Sequence, residues 1–275
     1  RSNNAVGAMG AQADCPGNCV DLAEGLAAAA REITLEYFRT GVTVDAKADA
    51  SPVTVADRRA EARMRELIED RFPGHGIIGE EYGATRDDAE YVWVLDPIDG
   101  TKAFITGNPL FGTLIALTRN GHPILGIIDM PALGERWTGI AGQPTQYTDY
   151  RGTRDAEARA CPMLEQAVLR CTSPHMLADS RANEQAFDRV RQRTRLALYG
   201  GDCYCYGQVA SGFADLVVEA GLGVYDFMAL LPVVEGAGGL ARDWEGQELG
   251  FKSDGRVVFA GDAALMEAAL AVLKG

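Results

Sequence analysis

Histidine is scarce in this chain, three residues in 275, and cysteine is limited to six. Six cysteines at this length do not form a disulfide scaffold. Cys15 and Cys19 could supply half of a zinc site, but no second close pair with histidine support completes it. A reduced, cytoplasmic setting is therefore expected. Runs of one charge are also missing. Lys and Arg total 26 against 39 Asp and Glu, a formal charge of −13, with no basic tract. Binding to a nucleic-acid polymer is not expected, because such proteins must neutralise phosphates. No stretch reaches the roughly 18 consecutive apolar residues of a membrane-spanning helix, so no membrane association is expected. The first 18 residues lack the apolar core of a signal peptide and read as a flexible tail. No internal repeat is visible.

What is present is apolar material in plenty, 47% of the chain, enough for a sizeable core. "DLAEGLAAAAREITLEYFR" spaces Leu22, Leu26, Ala29, Ile33 and Phe38 as a helix does. "RRAEARMRELIEDRF" predicts a second helix, closed by Pro73-Gly74, with His75 in an exposed turn. Strands and turns then alternate, and Asn120-Gly121 between two apolar runs predicts a tight hairpin. Residues 143–162 are polar and turn-rich. Beyond them strands alternate with helices, including a long one over "YDFMALLPVVEGAGG" that Pro232 could kink. The expected organisation is a tail at 1–18, an α+β half at 19–147 and an α/β half at 148–275.

The chemistry concentrates in "YVWVLDPIDGTKAFITG", where a buried strand runs into Asp96 and Asp99. Residues three apart do not share a face of a regular strand. Pro97 favours a turn there, which would bring both carboxylates to one point. Carboxylates that close repel, and a proton, a basic partner or a metal must offset the repulsion. Lys102 is one possible partner; hard divalent cations, which prefer oxygen ligands, are another. "IIGEEYG" ends a second apolar piece in Glu80 and Glu81, read as solvated charge or as further ligands. Asp226 opens an apolar helix, where it either caps the N-terminus or binds. Gly100 permits close approach to an anion, its turn can offer N–H groups to a phosphate oxygen, and Thr101 adds a hydroxyl that could orient water. Two metals could activate that water, which points to phosphate-monoester hydrolysis.

"GEE", "DPIDGTKAF" and "YDFMALLPVVEGAGG", with "SPVTVADRRAE" upstream, resemble the inositol monophosphatase superfamily over residues 21–273. The resemblance implies a layered αβαβα sandwich, a small-molecule phosphate monoester as substrate, two or three Mg²⁺ per subunit and a homodimer. It implies that Glu80, Asp96, Asp99, Asp226 and the Ile98 carbonyl hold the first two ions, with Asp96 bridging. Asp57 would lie near a third ion and the attacking water. Glu80 and Thr101 would hold that water, and Gly100 and Thr101 would bind phosphate.

Within the family, "GDCYCYGQVASG" and its surroundings resemble the histidinol-phosphatase members. Inositol monophosphatases usually have a small hydroxyl residue and alanine after the glycine at 201, where this chain has Asp202-Cys203. Asp202, with Glu219 and Asp226, is expected to line the pocket for the alcohol and to favour the cationic end of L-histidinol phosphate. Asp202 could instead cap a helix. The expected activity is hydrolysis of L-histidinol phosphate by metal-activated water. An inositol or broad sugar phosphatase, a nucleotide 3′-phosphatase and a non-catalytic metal-binding scaffold are the alternatives.

Overall fold

The computed structural model describes residues 15–40, 44–46 and 52–275. The tail expected at 1–18 lies outside the described residues up to position 14, and a helix already begins at Gly17. The chain opens with α1 (Gly17–Tyr37), the small ladder β1 (Val44–Ala46) and β2 (Pro52–Thr54), and α2 (Val55–Arg71). β3 (Gly76–Gly79), β4 (Gly83–Thr85), β5 (Tyr91–Asp99) and the short α3 (Thr101–Ile105) follow. Next come β6 (Gly112–Arg119), β7 (His122–Met130), β8 (Glu135–Ile140), β9 (Gln146–Asp149) and β10 (Gly152–Asp155). The remainder comprises β11 (Val168–Cys171), α4 (Arg181–Arg191), β12 (Leu196–Tyr199), α5 (Tyr204–Ala210), β13 (Leu216–Glu219), α6 (Val224–Phe227), α7 (Leu230–Gly236), β14 (Leu240–Asp243), β15 (Val257–Ala260) and α8 (Ala263–Lys274).

An eight-stranded sheet has the order β10-β9-β8-β7-β6-β5-β3-β4, and a five-stranded sheet the order β12-β11-β13-β15-β14. Side chains of a strand alternate between faces, so each sheet has two apolar faces to cover. On the large sheet, Trp93, Leu95, Ile115 and Leu117 pack against Leu26, Ala30 and Met64 of α1 and α2. Val94, Leu114 and Ala116 turn the other way, towards α5, α6 and α7. Those helices also cover Val217 and Phe259 of the small sheet. Its opposite face, with Leu216, Val218 and Val258, packs on α4 and α8. The layers are thus α, β, α, β, α, as the sequence resemblance implied.

Several local expectations need correction. The chain passes between the two sheets after Asp155, not at 147/148. The turn-rich stretch at Asp149–Gly152 closes a hairpin that extends the first sheet, with Thr148 opposite Thr153. The helix expected over "YDFMALLPVVEGAGG" is two helices, broken at Met228–Ala229. Pro232 sits in the first turn of α7, where its missing N–H leaves no bond unmade. His75 is not an exposed turn residue. It stacks on Phe72 and Tyr91, and its Nδ1 accepts a hydrogen bond from Trp93 Nε1 at 3.1 Å. The Asn120-Gly121 hairpin forms as expected, with φ of 50° and 81°.

Two glycines set how α6 and α7 sit on the large sheet. Gly126 of β7 and Gly139 of β8 are cross-strand neighbours. A Cβ on Gly126 would overlap the Ala229 carbonyl, and one on Gly139 would overlap the Pro232 backbone. The helix therefore rests main chain on main chain. Gly126→Ala is expected to cost about 1–3 kcal/mol, the usual range for overpacking. Denaturant unfolding checks this, and an unchanged midpoint would refute the contact.

Candidate active site

β5 carries its two aspartates to one place by a route other than a turn. Asp96 is paired with Leu114 and Asp99 with Gly112, so three steps on β5 oppose two on β6. One extra residue in one strand is a β-bulge. It restores Asp96 and Asp99 to the same side, and the strand continues through Pro97 instead of ending there. Thr113 Oγ1 donates to the Pro97 carbonyl at 2.8 Å, and the Ile98 N–H donates to Asp96 Oδ1 at 3.1 Å. The Ile98 carbonyl accepts from Thr101 Oγ1 at 3.3 Å.

Asp226 reaches this point from α6 in the second half of the chain. Its Oδ2 accepts the Gly223 N–H at 2.6 Å, so the capping role considered from sequence is real. It also offers a carboxylate oxygen within 4.8 Å of oxygens of Asp96 and Asp99. A second trio, Asp57, Glu80 and Glu81, meets the same distance limit. Asp57 comes from the first turn of α2, and the two glutamates directly follow β3. Glu81 was the less favoured glutamate in sequence. Its side chain is only 3% exposed and lies 3.8 Å from Arg58, so it is not solvated charge at a strand end.

The electrostatics show that the two trios adjoin. Burial raises the carboxyl of Asp96 well above its ordinary pKa, and the charges of Glu80, Asp99, Asp226 and Asp57 raise it further. Asp99 is raised by burial and by Asp202 and Asp226, against the Cys203 N–H that donates to it at 2.6 Å. Burial pushes Asp226 up to about 7. Among the described residues these are two adjoining sets of oxygen donors, the donor type that Mg²⁺ takes. The residues present fit divalent cations.

The alcohol side is less uniform than expected. Asp202 lies over Gly100, whose missing Cβ leaves room: one built there would sit 3.0 Å from Asp202 Oδ2. Burial and then the charge of Glu219 push Asp202 up to about 7, and Lys102 opposes the rise. Glu219 is 2% exposed. Its oxygens accept from the Thr172 N–H and the Tyr206 hydroxyl. Burial raises the Glu219 carboxyl above its ordinary value, against these two bonds and the charge of Arg170, which donates to the Gly200 carbonyl at 2.7 Å. Glu219 is thus held in place by two donors, and Asp202 is the more exposed carboxylate. Asp202 does not cap α5, which starts without a side-chain cap.

Sequence reasoning missed Glu61. It is fully buried on α2, accepting the Glu81 N–H at 2.7 Å and the Tyr82 N–H at 3.2 Å. Its signal was its spacing, one turn from Asp57 and in line with the buried Ala60, Met64 and Ile68.

A model of the inositol monophosphatase family matches residues 18–274. The chain belongs to the inositol monophosphatase family. A solved inositol monophosphatase from Zymomonas mobilis is 47% identical, with a TM-score of 0.85, covering 94% of this chain and 98% of that one. The chloroplastic bifunctional phosphatase IMPL2 of Arabidopsis thaliana is 48% identical over 258 residues, 90% of this chain and 73% of that protein. The histidinol-phosphatase of Chlorobaculum parvum is 36% identical over 239 residues, 86% and 90% respectively. No helix among the described residues of this family member is long and apolar enough to cross a membrane.

The raised carboxyls set a pH dependence for the metal-free protein. At Asp202 and Asp226 the folded chain holds protons that the unfolded chain has released above about pH 4. Stability therefore falls as pH rises towards about 7. Thermal melts without divalent ions are expected to show a higher melting temperature at pH 5 than at pH 8. Mg²⁺ at pH 8 should raise it again. Asp226→Asn should stabilise the metal-free protein at pH 8 but not at pH 4; parallel melting curves for parent and variant would refute the assignment.

Proposed function

We propose that this family member is a Mg²⁺-dependent phosphomonoesterase whose substrate is a small alcohol phosphate, with inositol monophosphate the leading reading. The observation that carries the reaction class is the meeting of Asp96, Asp99 and Asp226 beside Asp57, Glu80 and Glu81. Bound divalent cations would neutralise this charge, polarise the phosphate and make water more acidic. Asp96, Asp99, Asp226 and the Ile98 carbonyl would hold one part of that charge, and Glu80 with Asp57 the other. The first N–H groups of α3 have no intrahelical partner, so Gly100 and Thr101 would present them to a phosphate oxygen. Thr101 already donates its hydroxyl hydrogen to Ile98, which leaves its lone pairs to accept from a water. Glu80 would accept the second hydrogen of that water and orient it towards phosphorus. No histidine or cysteine belongs to either trio, which supports direct attack by water over a phospho-enzyme on those groups.

The family itself and the 47% identical Zymomonas structure, by its description, support inositol phosphate. One observation favours L-histidinol phosphate as a second reading. Burial and then the charge of Glu219 push the partly buried Asp202 carboxyl up to about 7, and an ammonium or imidazolium would relieve that repulsion. The likeness to a histidinol-phosphatase supports the same reading. Arg170 behind Glu219 weakens it, because the wall then carries a compensating cation. A homodimer is proposed on the family resemblance alone, and sedimentation tests it.

Phosphate release is expected to require Mg²⁺ and to stop on chelation. Asp96→Asn should lose both metal binding and turnover. Thr101→Ala should lower turnover by about a hundredfold, the scale of a lost proton-handling group, with metal affinity near the parent's. A panel of inositol phosphate, histidinol phosphate, a sugar phosphate and a nucleoside 3′-phosphate decides the substrate. Preference for inositol phosphate supports the leading reading. Preference for histidinol phosphate, lost selectively in Asp202→Asn, replaces it with the second. No Mg²⁺-dependent release from any of them would sink the phosphatase reading.

A further inference from the structure

Helix α2 serves the trio Asp57, Glu80 and Glu81 twice. It supplies Asp57 directly. One turn later Glu61 is fully buried and accepts two backbone N–H groups from the segment that carries the two glutamates. Arg65, a further turn along, donates its Nε to Glu61 at 2.8 Å and its Nη2 to the Gly83 carbonyl. The span from Glu81 to Gly83 is thus tied to α2 by three hydrogen bonds through two side chains. Gly79 completes the arrangement. Its φ is not positive, so backbone freedom does not explain the glycine. Instead, a Cβ there would overlap the Glu61 carboxylate, which occupies that space.

We propose that Glu61 is a positioning residue that fixes the Glu80–Tyr82 backbone, and that the affinity of the Asp57–Glu80–Glu81 trio for a divalent cation depends on it. The proposal rests on reading that trio as a cation site. Glu61 is not one of the three converging carboxylates. It sets the starting point of the two glutamate side chains, so that their oxygens and that of Asp57 converge. A carboxylate suits the task because it only accepts: each oxygen takes one N–H from the glutamate segment, and Oε1 takes Arg65 as well. An amide at this position must turn an N–H₂ group towards one of these donors.

The test is Mg²⁺ binding by calorimetry on the whole chain, in parent, Glu61→Gln, Glu61→Asp and Gly79→Ala, with melting curves of each metal-free protein. Glu61→Asp keeps the charge but withdraws the oxygens by one methylene, and it decides the matter if Glu61→Gln does not fold. Gly79→Ala displaces the same carboxylate without altering it. Folded variants are expected to bind Mg²⁺ about 10- to 100-fold more weakly, the range for groups that orient metal ligands. Amide exchange at Glu81 and Tyr82 should quicken with it. Asp226→Asn, in the other trio, should leave those two amides protected. If Glu61→Asp and Gly79→Ala bind Mg²⁺ as the parent does, whatever their melting temperatures, Glu61 serves the fold only and the proposal is overturned. A parent that binds no Mg²⁺ removes the cation site itself, a failure separate from that one.

Discussion

Mutual repulsion among carboxylates at the end of β5 governs the middle of this molecule. Five acidic groups raise or share one another's burden around Asp96, which is itself buried. A chain does not collect them by hydrophobic collapse, which would scatter charges to the surface. Three of them are held by specific bonds instead: the Ile98 N–H on Asp96, the Cys203 N–H on Asp99, the Gly223 N–H on Asp226. Those donors come from three separate stretches of chain. The layers must therefore assemble correctly before the charges can meet, and a bound divalent cation would offset the repulsion that assembly creates.

The five-layer arrangement follows from the same requirement. α2 and β5 belong to the first sheet's surroundings, and α6 lies in the shared middle layer. Only a layer touching both sheets can bring Asp226, late in sequence, against a strand near residue 96. The bulge in β5 does the equivalent job locally. It changes which face Asp99 occupies without ending the ladder to β6.

Much of this was legible in the sequence, and the exceptions share a cause. The two glutamates after "IIG", the paired aspartates after "YVWVL" and Asp226 at a helix start could all be found from residue type and position. Hairpin chemistry at Asn120-Gly121 was equally local. The bulge was not legible, because it is a property of two strands, and Pro97 by itself reads as a stop. Glu61 was overlooked because a glutamate among arginines on a helix usually faces water. Its buried phase showed only against Ala60, Met64 and Ile68. The partners of Glu219 were equally hidden: nothing in "LVVEAG" announces that Tyr206 and Thr172 will donate to its oxygens. The β9–β10 hairpin escaped because its polar strands have exposed or half-exposed faces and no apolar alternation to detect.

The seating of α7 on Gly126 and Gly139 has a consequence for how the protein can vary. Where a helix meets a sheet through side chains, the spacing follows whichever rotamers and volumes happen to fill it. Here main chain meets main chain, with Ala229 and Pro232 against the two glycines. The gap is a fixed ruler made of peptide units, and Asp226 stands only three residues from where the ruler touches. Substitutions in the outer helices can change packing, surface charge or thermal tolerance while leaving that measure alone. A library built for stability can therefore range widely over α1, α4 and α8, provided the two glycines stay bare.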